Sequence, residues 1–290
     1  MIEARTEPRT EPAPLTARRP HLTIKPTSGW QAINLAELWQ FRDLLVTLAQ
    51  RDVKLRYRQT ALGAIWVVLQ PLMAALIFTV VFSRIAHLPT DGLPALAFMF
   101  ASLLAWNAFS STLGKVSGCL LANGNLVSKV YFPRLVLPMS TVLSTLIDFG
   151  VSLVMMVVLM VAYHIVPGFG LLLLPLWLAL IILLAVGIGL FTSALMVTYR
   201  DVGYILPVVI NFLLYASPIA YSLAAIPAHL HLLFNLNPLS GLLQAFRWSL
   251  LNDGTLPVGM VVYSAVFSVI VFIAGAFSFK KMERKFADVI

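Results

Sequence analysis

The chain has 290 residues, of which 60% are hydrophobic and only 11% charged, with a formal net charge of +8. A soluble domain carries about a quarter charged residues; here the apolar excess lies in long runs, which points to the membrane class. The basic residues flank those runs, which speaks for membrane topology and against nucleic acid, and the single cysteine, Cys119, excludes an internal disulfide framework or a Cys-based zinc cluster.

The N-terminal stretch is rich in Pro, Arg, Glu and Thr and has no apolar core. A signal peptide needs about 7–15 apolar residues in a row, so residues 1–30 read as a disordered cytosolic tail. The remaining chain, 31–290, reads as one all-α membrane domain with no fixed-period repeat.

Residues 38–58 form the first expected helix. At about 100° per residue, Leu38, Phe41, Leu44, Leu45, Leu48 and Leu55 share one arc of about 120°. Arg51, Lys54 and Arg58 cluster beside that arc, and Asp52 and Arg56 are spaced to pair. This is the pattern of an amphipathic helix on the cytosolic face, apolar side in lipid and basic side toward headgroups. Gln59 and Thr60 supply a bend, and Gly63 allows close packing of the first span. The charges by themselves are equally compatible with plain topology control. The apolar lead-in is not explained that way, and Arg51, Lys54, Arg56 and Arg58 suit the phosphate of an anionic, lipid-linked substrate.

Six runs are long enough to cross about 30 Å of hydrocarbon: roughly 61–82, 94–113, 135–163, 171–198, 202–222 and 257–279. The third and fourth exceed what a crossing needs, which implies tilt. With the N-terminus in the cytosol, ten Lys/Arg before residue 61 fall inside, as do Lys115, Lys129, Arg134, Arg200 and four more after residue 279. Only Arg84 and Arg247 fall outside. That asymmetry places both termini in the cytosol. Residues 114–134 form a cytosolic loop with a helix-capable middle. Residues 223–256 are too apolar for a water-exposed loop; a short helix at Leu239–Leu251, in the interface or re-entrant, fits them.

Three segments carry a family resemblance: RDVKLRYRQTALGAIWVVLQPL (Arg51–Leu72), NLVSKVYFPRLVLPMS (Asn125–Ser140) and YRDVGYILPVVINFLLYASPIAYSLAAIP (Tyr199–Pro227). They resemble the membrane subunit of bacterial ABC-type polysaccharide exporters, which move lipid-linked O-antigen, capsular polysaccharide or teichoic acid. The similarity runs from about residue 35 to the C-terminus. It implies a six-span permease in the inner membrane that works as a homodimer with two cytosolic ATPase subunits. It also implies an interface helix, a cytosolic coupling helix between spans two and three, and outer gate helices between spans five and six. Asn123, Asn125, Lys129, Tyr131 and Arg134 fall in the coupling segment. No G-x-x-x-x-G-K-[ST] occurs in the chain. ATP and Mg therefore belong to the partner, and this chain is a transport subunit with no cofactor of its own.

Polar and aromatic stripes inside the spans are the candidate conduit. Tyr204, Asn211, Tyr215 and Ser222 fall within about 40° of one another on the fifth span. Phe98, Ser102, Trp106 and Phe109 align on the second, and Trp66 and Gln70 on the first. Aromatic faces suit sugar C–H groups, and amides and hydroxyls suit sugar hydroxyls. Helix–helix packing is the competing explanation for each stripe. Asp148 is the one acidic residue deep in a span and has no intramembrane cation beside it, which favours a hydrogen-bonded structural role over a proton relay. The five histidines avoid span centres, so no metal site is expected.

The leading function is the membrane half of an ATP-driven exporter of lipid-linked polysaccharide. An exporter of drugs or small lipids stays open as an alternative. A proton-coupled secondary transporter would show inverted repeats and paired intramembrane ionisable residues, and neither is seen. An intramembrane serine protease would need Ser and His at the same membrane depth.

Overall fold

A computed structural model describes residues 35–57, 65–90, 92–221, 227, 229, 231–252, 255–283 and 286. The expected tail, the Gln59–Gly63 bend, Arg58 and Ser222 lie outside these residues. The described chain is all-helical, with no strands. In order, the helices are α1 (Leu35–Gln40), α2 (Arg42–Tyr57), α3 (Ile65–Phe78), α4 (Ala95–Ala122), α5 (Gly124–Lys129), α6 (Val136–Ala162), α7 (Leu174–Thr198), α8 (Val202–Ala216), α9 (His231–Leu236), α10 (Pro238–Leu251) and α11 (Val258–Met282). A π-helical turn, Thr79–Ile85, extends α3, and a 3-10 turn, Phe169–Leu173, leads into α7.

Five helices are long and apolar enough to cross a membrane: Ile65–Ile85, Ala95–Ala122, Val136–Ala162, Phe169–Thr198 and Val258–Met282. The expected fifth span is shorter than the reading of 202–222. Its helix stops at Ala216 after 15 residues, about 22 Å at 1.5 Å per residue. The cause is local: Ser217 precedes Pro218 and takes the extended conformation (φ −111°, ψ 147°) that a following proline favours. The second span differs in the opposite sense. It was expected to end near residue 113, but α4 continues to Ala122. Gly114 and Gly118 weaken a helix without ending it. Lys115 is therefore a helix residue and not part of a loop.

The core is organised around α4. In its most apolar window 78% of residues are buried, against 11% for the first span, so α4 is central and α3 peripheral. The helix packs against α6 and α7 on its sides and α10 at its N-terminal half. α11 crosses α7 at a point where only glycine fits. A Cβ on Gly187 would lie 2.6 Å from the Phe272 Cα, and one on Gly275 would collide with the Gly187 carbonyl. The segment 239–251, read as a short helix, is found as α10, and it is almost wholly buried against α4, α7 and α11. Asn237 starts it. Its side chain accepts from Leu239 N at 3.0 Å and donates to the Ala216 carbonyl and Ser217 Oγ, stapling the end of α8 to the start of α10. Arg247, expected on the outer side, is only 2% exposed and lies 4.0 Å from the Phe98 ring centroid.

Candidate functional site

The lead-in helix is where sequence and structure part first. The apolar side of α2 faces protein and not lipid. Leu48 is 5% exposed, and Phe41, Leu44 and Leu45 pack on a cluster that includes Val116, Leu120, Val136 and Leu137. Leu55 alone among the expected apolar residues from Leu44 onward is strongly exposed. Acyl chains are as apolar as leucine, so amphipathic periodicity cannot tell a lipid face from a protein face.

Docking α2 on α6 brings its basic end to a polar seam. On α6, Thr141, Thr145, Asp148 and Ser152 recur at helical spacing and fall within about 60° of one another. On α4, Asn107, Ser111 and Lys115 recur every four residues. Thr145, Asp148 and Ser152 face the α4 stripe across a cleft closed on its third side by Trp66, Gln70 and Pro71 of α3. The cleft has a volume of about 350 Å³. A second hollow of about 540 Å³ adjoins it, bounded by Arg51, Asp52, Asn123, Thr141 and Ser144; the two share Arg56 and Lys115.

At that junction Lys115 Nζ donates to Asp148 Oδ2 at 2.9 Å and to Thr145 Oγ1 at 3.2 Å. Arg56 Nη1 donates to the same carboxylate oxygen. This corrects two expectations. Asp148 does have cations beside it, Lys115 of α4 and Arg56 of α2, and Arg56 pairs with Asp148 in place of Asp52. Asp52 is taken instead by Arg51, at 2.9 Å, and Arg51 also donates to Asn123 Oδ1 at 2.8 Å. Asp148 lies twelve residues past the start of α6, about 18 Å along its axis. A carboxylate at such depth is expensive unless paired and hydrogen-bonded, and here two helices supply the pairing. Among the other basic candidates, Lys54 is exposed on α2.

The conduit candidates divide. Trp66, Tyr204 and Tyr215 are 55%, 81% and 66% exposed, and Gln70 and Asn211 are exposed too. Phe98, Ser102, Trp106 and Phe109 are no more than 4% exposed, packed inside the chain. Within the chain their stripe faces neighbouring helices, and Arg247 lies over the Phe98 ring. The coupling candidates divide as well. Asn125, Lys129 and Tyr131 are exposed. Asn123 caps the junction of α4 and α5, donating to the Cys119 carbonyl at 2.9 Å while accepting from Arg51. Arg134 is half-buried; it donates to the Glu283 carbonyl and lies 5.7 Å from the Phe286 ring centroid.

Sequence reasoning missed Asn107, Ser111, Lys115, Thr145 and Ser152. The helical spacing that singled out the fifth span would have found both stripes. Lys115 was hidden because it was assigned to a loop. Among the described residues the lining combines two cations and the Asp148 carboxylate with amides, hydroxyls, an indole and apolar side chains such as Val67, Leu104 and Phe149, a set that can hold a polyol or, through its cations, an anion.

Residues 43–251 match the ABC-2 type transporter family. The chain is 30% identical to the O-antigen export system permease protein RfbA of Myxococcus xanthus over 88% of this chain and 98% of that protein. It is 27% identical to the protein of the same name from Klebsiella pneumoniae, over 86% and 95%. It is 26% identical to the polysialic acid transport protein KpsM of Escherichia coli, over 81% and 91%. A match across most of an all-helical, multi-pass chain leaves one assignment: the chain belongs to the ABC-2 type transporter membrane family.

Proposed function

We propose that this chain is the membrane subunit of an ATP-driven exporter that carries a lipid-linked polysaccharide across the bacterial inner membrane. The observation that carries the reading is the 30% identity over 98% of an O-antigen export permease. In this reading α8 and the residues after it make a sixth crossing, short at one end, and both termini are cytosolic by the distribution of Lys and Arg. Two copies of the chain pair, and two ATPase subunits bring ATP and Mg. α5 with Asn125, Lys129 and Tyr131 is the docking surface for the ATPase. α9 and α10 act as the outer gate. Trp66, Gln70, Tyr204, Asn211 and Tyr215 present exposed amide and aromatic groups to the glycan.

Deleting the gene is expected to abolish surface polysaccharide and to leave lipid-linked polymer facing the cytosol. The tagged chain is expected to co-purify with an ATPase. Undiminished surface polysaccharide in the deletion strain would overturn the reading.

A further inference from the structure

The junction of Arg56, Lys115 and Asp148 has features that a helix-to-helix clip does not need. Both cations converge on one carboxylate oxygen, Oδ2. They carry more N–H donors than Asp148 and Thr145 accept. Their side chains are 36% and 24% exposed, against 14% for Asp148, so the cations are the accessible members of the cluster. The surrounding wall also offers the neutral donors Asn107, Ser111 and Ser152 and the rings of Trp66 and Phe149. The cleft volume falls in the range of small-molecule sites, about 300–1,000 Å³. Its outer wall is α3, the least buried span, so an acyl or prenyl chain attached to a ligand in the cleft has a route along lipid.

We propose that this cleft is a seat for a phosphate group, in which Asp148 is a resident counter-ion that an incoming phosphate displaces from Arg56 and Lys115. The inference deepens the exporter reading and rests on it for the source of the phosphate. A guanidinium fork and an ammonium suit the several oxygens of a phosphate better than one shared carboxylate oxygen. Two uncompensated cations at this depth are costly when the seat is empty, and Asp148 removes half of that charge. When a phosphate arrives it takes over the same role, and the exchange needs side-chain rotation only. The basic residues of α2 divide accordingly: Arg51 is held by Asp52 and Asn123, while Arg56 is the one aimed into the cleft.

The competing role, a purely structural clip, predicts the opposite sign for one substitution. The full-length protein is placed in phosphatidylcholine nanodiscs and equilibrium binding is measured with three probes: polyprenyl diphosphate, inorganic diphosphate and uncharged polyprenol. Asp148→Asn removes the competitor and is expected to tighten diphosphate binding by about fivefold, the worth of roughly one charge near an anionic group. Lys115→Gln is expected to weaken it by at least about the same factor. Lys115→Gln with Asp148→Asn restores the local charge, so it should bind better than Lys115→Gln alone; this comparison stands even if Asp148→Asn fails to fold. Polyprenyl diphosphate binding alone assigns the seat to a lipid headgroup, and equal binding of inorganic diphosphate assigns it to the phosphate irrespective of the lipid. Binding of neither, equal binding of polyprenol, or weaker binding in both Asp148→Asn variants would overturn the proposal. Normal surface polysaccharide in a Lys115→Gln strain would sink the seat while leaving the exporter reading intact.

Discussion

Arg134 and Lys129 lie five residues apart in the segment between α4 and α6, and the structure gives them different surroundings: Arg134 is half-buried and Lys129 exposed. Arg134 donates to the backbone carbonyl of Glu283 and sits over Phe286, which is itself buried edge-on against Phe279. It ties the turn before α6 to the end of α11. Truncation by Arg134→Ala removes a charge-assisted hydrogen bond worth about 1.5–3 kcal/mol and a cation–π contact worth about 0.5–1 kcal/mol at a partly exposed site. Some solvent compensation is available to a half-buried group, so the expected loss is about 2–3 kcal/mol. At about 2.1 cal/mol/K of unfolding entropy per residue, a chain of 290 residues then loses roughly 3–5 °C from the midpoint of thermal unfolding. A midpoint measured in an irreversible transition depends on scan rate, so the comparison is made at one scan rate. Arg134→Lys keeps the charge and is expected to recover part of the loss. If Arg134→Ala melts like the unchanged protein but fails to stimulate its ATPase, Arg134 is a docking residue and the reasoning from its contacts is wrong.

Lys129→Glu and Tyr131→Ala, both on exposed residues, are expected to leave the melting temperature unchanged and to uncouple ATP hydrolysis from export, read as hydrolysis that no longer responds to substrate. Cysteines replacing Asn211 or Tyr215 in a Cys119→Ala background are expected to react with a water-soluble maleimide more than one replacing Val157, an exposed apolar residue of α6; equal labelling would return the α8 stripe to packing. Gly187→Ala places a methyl 2.6 Å from the Phe272 backbone. An overpacking loss of about 1–3 kcal/mol or more is expected, seen as a lower melting temperature; an unchanged one would mean that α7 and α11 part at no cost.

The limits of the third, fourth and sixth spans were legible because hydropathy and flanking charge agree there. The second and fifth were misjudged in opposite directions. For the second, the glycines at 114 and 118 and the charge at 115 looked like a loop, yet no residue before Asn123 actually breaks the helix. For the fifth, the Ser217–Pro218 pair carried the stop signal, and hydropathy overrode it. Asp148 was legible as an intramembrane carboxylate but its partners were not, since one was assigned to a loop and the other was paired within its own helix. The stripe of Phe98, Ser102, Trp106 and Phe109 shows the converse problem. Periodicity names a face without naming what covers it, and on the central helix of a bundle the cover is other helices.

The same helix that fills the core also joins the cleft to the proposed docking surface. α4 buries its aromatic side against α6, α7 and α10 and turns its Asn107–Ser111–Lys115 side to the cleft. Two turns beyond Lys115 it ends at Asn123, which receives Arg51 of α2 and begins α5. Arg56 follows Arg51 on α2 by little more than one turn and reaches back to Asp148. Lys115, Asn123, Arg51, Arg56 and Asp148 therefore form a closed circuit of helix backbone and hydrogen bonds, from which α5, ending at exposed Lys129, leaves at Asn123. A force applied at α5 cannot tilt α2 without straining either the Arg51–Asn123 bond or the Arg56–Asp148 pair. Of the two, the second joins opposite charges and its Asp148 side chain is only 14% exposed; leaving such a carboxylate unpaired costs more than losing a bond to a neutral amide, so the first is expected to yield before the second when α5 moves alone.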